Sequence, residues 1–124
     1  MFELLYSKLS TVISVTDEEF NFCKTLFVPK KLRKKQFLLQ DGEVCKYQAF
    51  VEIGMLRSYS IDEKGSEHIM QFSPEGWWVA DLSSYITSEP SHFNIEALED
   101  APDPRQLVHI VIDSLGRPVH RDSQ

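Results

Sequence analysis

Tyr47-Gln48-Ala49-Phe50-Val51-Glu52-Ile53-Gly54-Met55-Leu56-Arg57-Ser58-Tyr59-Ser60-Ile61 reads as two strands folded back on one glycine. Tyr47, Ala49, Val51 and Ile53 alternate with Gln48, Phe50 and Glu52, the period of two that gives each set its own face of a strand. The second half is rich in strand formers, and His68-Ile69-Met70-Gln71-Phe72 continues the series. Four of the five glycines, Gly42, Gly54, Gly65 and Gly76, fall 12, 11 and 11 residues apart. Each stands where a strand should turn: Asp41-Gly42, Ile53-Gly54, Lys64-Gly65 and Glu75-Gly76. Glycine reaches the positive φ of tight hairpin turns without steric cost. Strands punctuated about every 8–12 residues point to a sandwich, barrel or roll. The intervening residues are not self-similar, so this is turn punctuation rather than a repeat.

Upstream the period is helical. Leu5, Leu9, Val12 and Ile13 recur at helical spacing, with Phe2 one turn earlier. Thr16 and Glu19 form a capping-box pattern, with Val15 and Phe20 placed as a hydrophobic staple. Phe20, Cys23, Leu26 and Phe27 then make one apolar stripe, and Pro29 is expected to end that helix. Lys30, Lys31, Arg33, Lys34 and Lys35 supply five of the thirteen Lys and Arg, and read as a solvated hairpin bend.

Downstream, Trp77-Trp78-Val79 is a short apolar run. An adjacent pair in a strand sends one ring to each face, so one tryptophan is expected in the core. Asp81 or a nearby serine opens a short helix, Asp81–Ile86, which Thr87-Ser88-Glu89-Pro90 stops. A strand follows at Phe93–Leu98, a loop at Glu99–Pro104, and a last strand at Gln106–Ile112. Residues 1–113 are expected to form one β-roll domain with N-terminal helices, and 114–124 a polar, frayed tail.

Composition narrows the class. The chain has 124 residues, 42% hydrophobic and 26% charged, which suits one soluble globular domain. No apolar run approaches the roughly 20 residues of a membrane helix, and the start lacks the pattern of a signal peptide. Cys23 and Cys45 stand alone, without CxxC or CxxH spacing. That suggests a cytoplasmic protein with no disulfide framework, both thiols being small buried side chains. A net charge of −6 argues against nucleic acid as a partner of this chain alone.

Catalytic patterns are lacking. His68, His92, His109 and His120 include no His-x-His or HExxH pair, so each is expected at the surface or satisfied in the core, and no metal is expected. The serines lie in no GxSxG context, and the glycines form no GxGxxG or P-loop. The chain is therefore expected not to be an enzyme.

The order of these parts resembles the ligand-binding domain of the Crp/Fnr transcription regulators, the cyclic-nucleotide-binding fold. The likeness covers roughly residues 1–100. It runs from the N-terminal helices through Phe37-Leu38-Leu39-Gln40-Asp41-Gly42-Glu43, Tyr47–Arg57 and the hairpin Gly65-Ser66-Glu67. It ends with Pro74-Glu75-Gly76-Trp77-Trp78, a short helix, and Asn94-Ile95-Glu96-Ala97-Leu98-Glu99-Asp100. The resemblance implies a mainly β fold, an antiparallel β-roll or jelly roll (a double-stranded β-helix) preceded by helices.

In that family a glycine and a glutamate open a short helix whose amides hold the cyclic phosphate, and an arginine further on neutralises it. Here Val79-Ala80-Asp81-Leu82 occupies the first position and Ser91 stands at the place of the arginine. Alanine replaces the glycine, the carboxylate is one methylene shorter, and the arginine is gone. Between Gly65 and Pro104 there is no Lys or Arg, while Glu67, Glu75, Asp81, Glu89, Glu96, Glu99, Asp100 and Asp103 are acidic. Family members continue into a dimerisation helix and a helix-turn-helix domain, which need more than the 24 residues after Asp100.

The expected function is a regulatory ligand sensor with a degenerate phosphate cassette and no DNA-binding domain in this chain. Its site would comprise Ala80, Asp81, Leu82, Ser91 and His92, with Trp78 nearby. The ligand would be a neutral or singly charged small molecule rather than a cyclic nucleotide. A homodimer is compatible with this reading, and a membrane partner is not. The alternative is a protein-interaction module on the same fold that holds no small ligand, and a more remote one is a cupin-like metal enzyme.

Overall fold

Thr16 starts the second helix as its capping box predicts. Its hydroxyl accepts the Glu19 N–H at 3.1 Å, and the Glu19 carboxylate accepts the Thr16 N–H at 2.9 Å. In the computed structural model, which describes residues 1–98 and 106–111, this helix is α2 (Asp17–Lys24), preceded by α1 (Glu3–Val12). Of the apolar series on α1, Leu5 is buried, while Val12 and Ile13 are exposed.

Pro29 does not end α2. The Thr25 hydroxyl donates to the Phe22 carbonyl at the helix end, and Phe27 and Pro29 lie on the strand β1 (Phe27–Leu32). The reason is position in the sheet. Among the described residues β1 is an edge strand paired with β8 (Gln106–Val111) alone, a place where a residue without an N–H is tolerated. Six cross-strand pairs with β8 outweigh another helical turn. The basic run is divided accordingly: Lys30 and Lys31 belong to the strand, and only Arg33, Lys34 and Lys35 form the bend.

The remaining strands are β2 (Phe37–Leu39), β3 (Ala49–Ile53), β4 (Leu56–Ile61), β5 (Glu67–Ser73), β6 (Trp78–Val79) and β7 (Asn94–Ala97), with α3 (Leu82–Thr87) between the last two. They form two antiparallel four-stranded sheets, in the orders β1-β8-β3-β6 and β2-β7-β4-β5. The β-roll inferred from the glycine spacing is present, and all four glycines have positive φ. Gly54 is also sterically required: a Cβ there would meet the buried Gln106 side chain at 2.7 Å. Gln106 uses its amide to accept from Met55 N and to donate to the Leu98 carbonyl, tying together the two strands at one end of the β4–β7 pairing.

Leu38, Leu39, Ala49, Val51, Leu56, Ile95, Ala97, Val108 and Ile110 fill the space between the sheets. The other face of β3 is buried too, because helix α1 packs on it. Phe50 and Glu52 are only 1% and 5% exposed. Glu52 explains how a carboxylate survives there. It accepts from Leu4 N (2.6 Å) and Leu5 N (3.1 Å) in the first turn of α1, whose N-cap, Phe2, makes no side-chain cap hydrogen bond. Anions are stabilised at that end of a helix. Its third partner is His109 Nε2 at 3.0 Å.

Two expectations about single side chains are corrected. Neither tryptophan is core: Trp77 sits in the turn before β6 at 51% exposure, and Trp78 is 45% exposed. β6 is a two-residue edge strand, and Val79 is the side chain it turns inward. Cys45 is buried but Cys23 is only half-buried, on a helix that covers the sheet from outside. His109 is fully buried with Nε2 bonded, yet Nδ1 has no hydrogen-bond partner among the described residues. The Glu99–Pro104 loop, His120 and the 114–124 tail lie outside the described residues, as does the 113 domain boundary. Among the described residues no helix is long and apolar enough to cross a membrane.

Candidate functional site

Asp81 is the N-cap of α3, as the sequence suggests. Its Oδ1 accepts the Ser84 N–H at 3.1 Å and its Oδ2 accepts the Ser91 hydroxyl at 2.7 Å. Asp81 is 7% exposed and Ser91 1%. The carboxylate therefore satisfies both the helix terminus and the serine standing in the place of an arginine. Phe93 N–H donates to Ser91 Oγ at 3.2 Å, so the hydroxyl both donates and accepts.

The loop after β2 fastens this segment from below. Gly42 N–H donates to the Ser91 carbonyl at 2.8 Å, Ser91 N–H to the Glu43 carbonyl at 2.7 Å, and Val44 bridges to Pro90. Cys45 N–H donates to Ser84 Oγ at 2.9 Å, and that hydroxyl donates to the Glu89 carbonyl. Ser88 ends α3 in the left-handed region at φ 63. Burial pushes the Cys45 thiol above its ordinary range, so it stays protonated and unreactive near neutral pH.

Of the six side chains expected at the site, three line one hollow, two bond each other, and His92 stands apart. Trp78, Ala80 and Leu82 line a hollow of about 190 Å³ with Gln48, Gln71 and Val79. Asp81 and Ser91 are bound to each other in the interior, and the exposed His92 does not line this hollow. A second hollow of about 430 Å³ shares Trp78 and Gln48 and adds Phe27, Tyr85 and Val111. Trp78 stands between them, its ring edge-on to Phe50 at 5.2 Å.

Sequence reasoning did not single out Gln48, Gln71 or Ser84. The alternation of β3 marks Gln48 as facing away from Ala49, but only the position of β6 shows what it faces. Ser84 was legible in principle, three residues after a capping aspartate.

Arg57, on β4, is committed to carboxylates of its own sheet. Its Nε donates to Glu96 at 2.7 Å, its Nη1 to Glu67 at 3.2 Å, and its guanidinium lies over the Tyr59 ring at 4.2 Å. Among the described residues, no group of three His, Cys, Asp or Glu side chains is arranged to hold a metal ion.

The fold has solved counterparts. The Catabolite Activator Protein of Thermus thermophilus superposes with a TM-score of 0.64 at 13% identity, covering 80% of this chain and 44% of that one. A putative cAMP-binding regulatory protein from Silicibacter pomeroyi gives 0.62 at 14%, covering 79% and 42%. The N-terminal domain of a transcriptional regulator from Streptomyces coelicolor gives 0.61 at 13%, covering 80% and 64%. The chain spans less than two thirds of each. These likenesses match the Crp/Fnr-type roll that the order of motifs resembles. Comparison with curated proteins finds no match. The family model for the cyclic nucleotide-binding domain matches residues 29–101, more than half of the sequence. The chain belongs to the cyclic nucleotide-binding domain family.

Proposed function

We propose that this chain is a non-enzymatic, cytoplasmic regulatory domain that senses a small molecule other than a cyclic nucleotide. One observation carries the reading: Asp81 spends both carboxylate oxygens on Ser84 N and Ser91 Oγ. A phosphate arriving there would meet a buried carboxylate instead of free amides and an arginine. Arg57 on β4 is held by Glu96 and Glu67, and residues 66–103 contain no Lys or Arg. A neutral or singly charged ligand fits better, resting on Trp78 with the Gln48 and Gln71 amides in reach and Ala80 and Leu82 beside it.

Calorimetry with cyclic AMP tests this on the chain and on Ser91→Arg. The unmodified chain is expected to give no binding heat. The Ser91→Arg variant gains a charge-assisted bond worth about 1.5–3 kcal/mol, and is expected to bind at least about tenfold more tightly than the parent. Micromolar binding by the unmodified chain refutes the reading. The same closed cassette favours one alternative, a partner-binding module with no small ligand. Under that reading neither protein is stabilised by any nucleoside or nucleotide in a thermal melt.

A further inference from the structure

Among the described residues, the β4–β5 hairpin leaves one side of β5 without a neighbour. β5 is the last strand of its sheet, and every residue from Glu67 to Phe72 is exposed. Outward N–H and C=O groups in strand spacing are matched in full only by another strand. Natural edges are blunted with lysine, proline or unpaired charge. This one has neither lysine nor proline, and its single formal charge, Glu67, is held by Arg57 at 3.2 Å.

The register of β5 makes the edge apolar on one face. Phe72 lies opposite Arg57 and Ile69 opposite Tyr59, and the register shift that leaves Met70 without a β4 partner keeps Ile69 and Phe72 on the same side. Ile69 is 44% exposed and Phe72 51%.

We infer that β5 pairs with β5 of a second copy, antiparallel, about a two-fold axis between Met70 and Gln71. The strand is self-complementary in this register. Ile69 faces Phe72 of the second copy, and by symmetry Phe72 faces its Ile69. Met70 faces Gln71, and His68 faces Ser73. Branched-aliphatic and aromatic cross-strand pairs are favourable, and the axis makes this one twice. Glu67 falls opposite Pro74 of the second copy, so the two carboxylates lie on the order of 20 Å apart and do not repel across a Debye length. A two-fold axis is the arrangement in which one self-complementary strand satisfies itself. The two four-stranded sheets then continue as one. Such a contact is at the small end of specific interfaces, which makes it a weak, concentration-dependent dimer.

Sedimentation velocity on the full chain, over roughly 1–200 µM to bracket an affinity of that class, tests the inference. Association is expected within that range. Ile69→Lys and Phe72→Glu are each expected to weaken it about tenfold or more, without loss of fold, since both positions are half exposed. The double variant Ile69→Lys/Phe72→Glu is expected to recover association, because the axis sets position 69 of one copy against position 72 of the other. Phe22→Lys, on the exposed face of α2, is the control and should change nothing. A monomer at every concentration, a double variant no better than the singles, or a dimer dissolved by Phe22→Lys overturns the inference.

Discussion

Glu52→Ala is expected to destabilise the chain by about 3 kcal/mol and to lower Tm by roughly 10 °C. Three donors converge on this carboxylate: Leu4 N, Leu5 N and His109 Nε2. Truncation leaves all three buried without an acceptor, and an unmade buried hydrogen bond costs more than a made one contributes. A smaller loss is expected for Glu52→Gln, which keeps one acceptor oxygen but sets an amide N–H₂ against a donor. Thermal melts of both variants check the order, and a Glu52→Ala protein as stable as its parent would refute the account.

The same pair gives a pH dependence of known sign. Burial holds the His109 pKa below its usual 6.5, against the opposing pull of the Glu52 carboxylate. Below about pH 6.5 the unfolded chain takes up this proton and the native one does not. Stability is therefore full above that pH and lost as the pH falls toward the depressed native value. Urea titrations between pH 7.5 and pH 5 are expected to show a decline that His109→Gln flattens.

Arg57→Met should destabilise by a similar amount, about 3 kcal/mol, because it strands Glu96. That carboxylate is 7% exposed and its partner is the Arg57 guanidinium. Removing one member of a buried pair leaves the other as an uncompensated charge, whereas replacing both is nearly neutral. The double variant Arg57→Met/Glu96→Gln is accordingly expected to recover most of the loss in a denaturant titration. If the two single losses simply add, the pair is not coupled and the account fails. This coupling bears on function, since an arginine so bound is not free to swing toward an anion in the cassette.

Local chemistry made much of the fold readable. The glycines mark turns because positive φ is a property of single residues, and the Thr16–Glu19 box is complete within four positions. Asp81 was recognisable as a cap for the same reason. What escaped notice depends on distant segments. Pro29 reads as a helix stop until β8 is known to lie beside it, making its position an edge strand. Alternation tells only that Glu52 shares a face with Gln48 and Phe50; that α1 buries this face and caps itself on the carboxylate depends on a distant segment. One of Trp77 and Trp78 reads as core, but the shortness of β6 leaves both rings outside. At the site, the family resemblance puts Ser91 where an arginine would be; only the folded structure shows that it fastens Asp81, which does not line the hollow of Trp78 and Leu82.

The cap on α1 is supplied from 47 and 48 positions further along the chain, and the histidine completing it follows another 57 positions later. A ten-residue helix is marginal alone in water, so α1 cannot settle until β3 and β8, made later, are in place. Synthesis thus runs opposite to the order of consolidation: α1 waits, and its docking reports that the strands carrying Glu52 and His109 have come together.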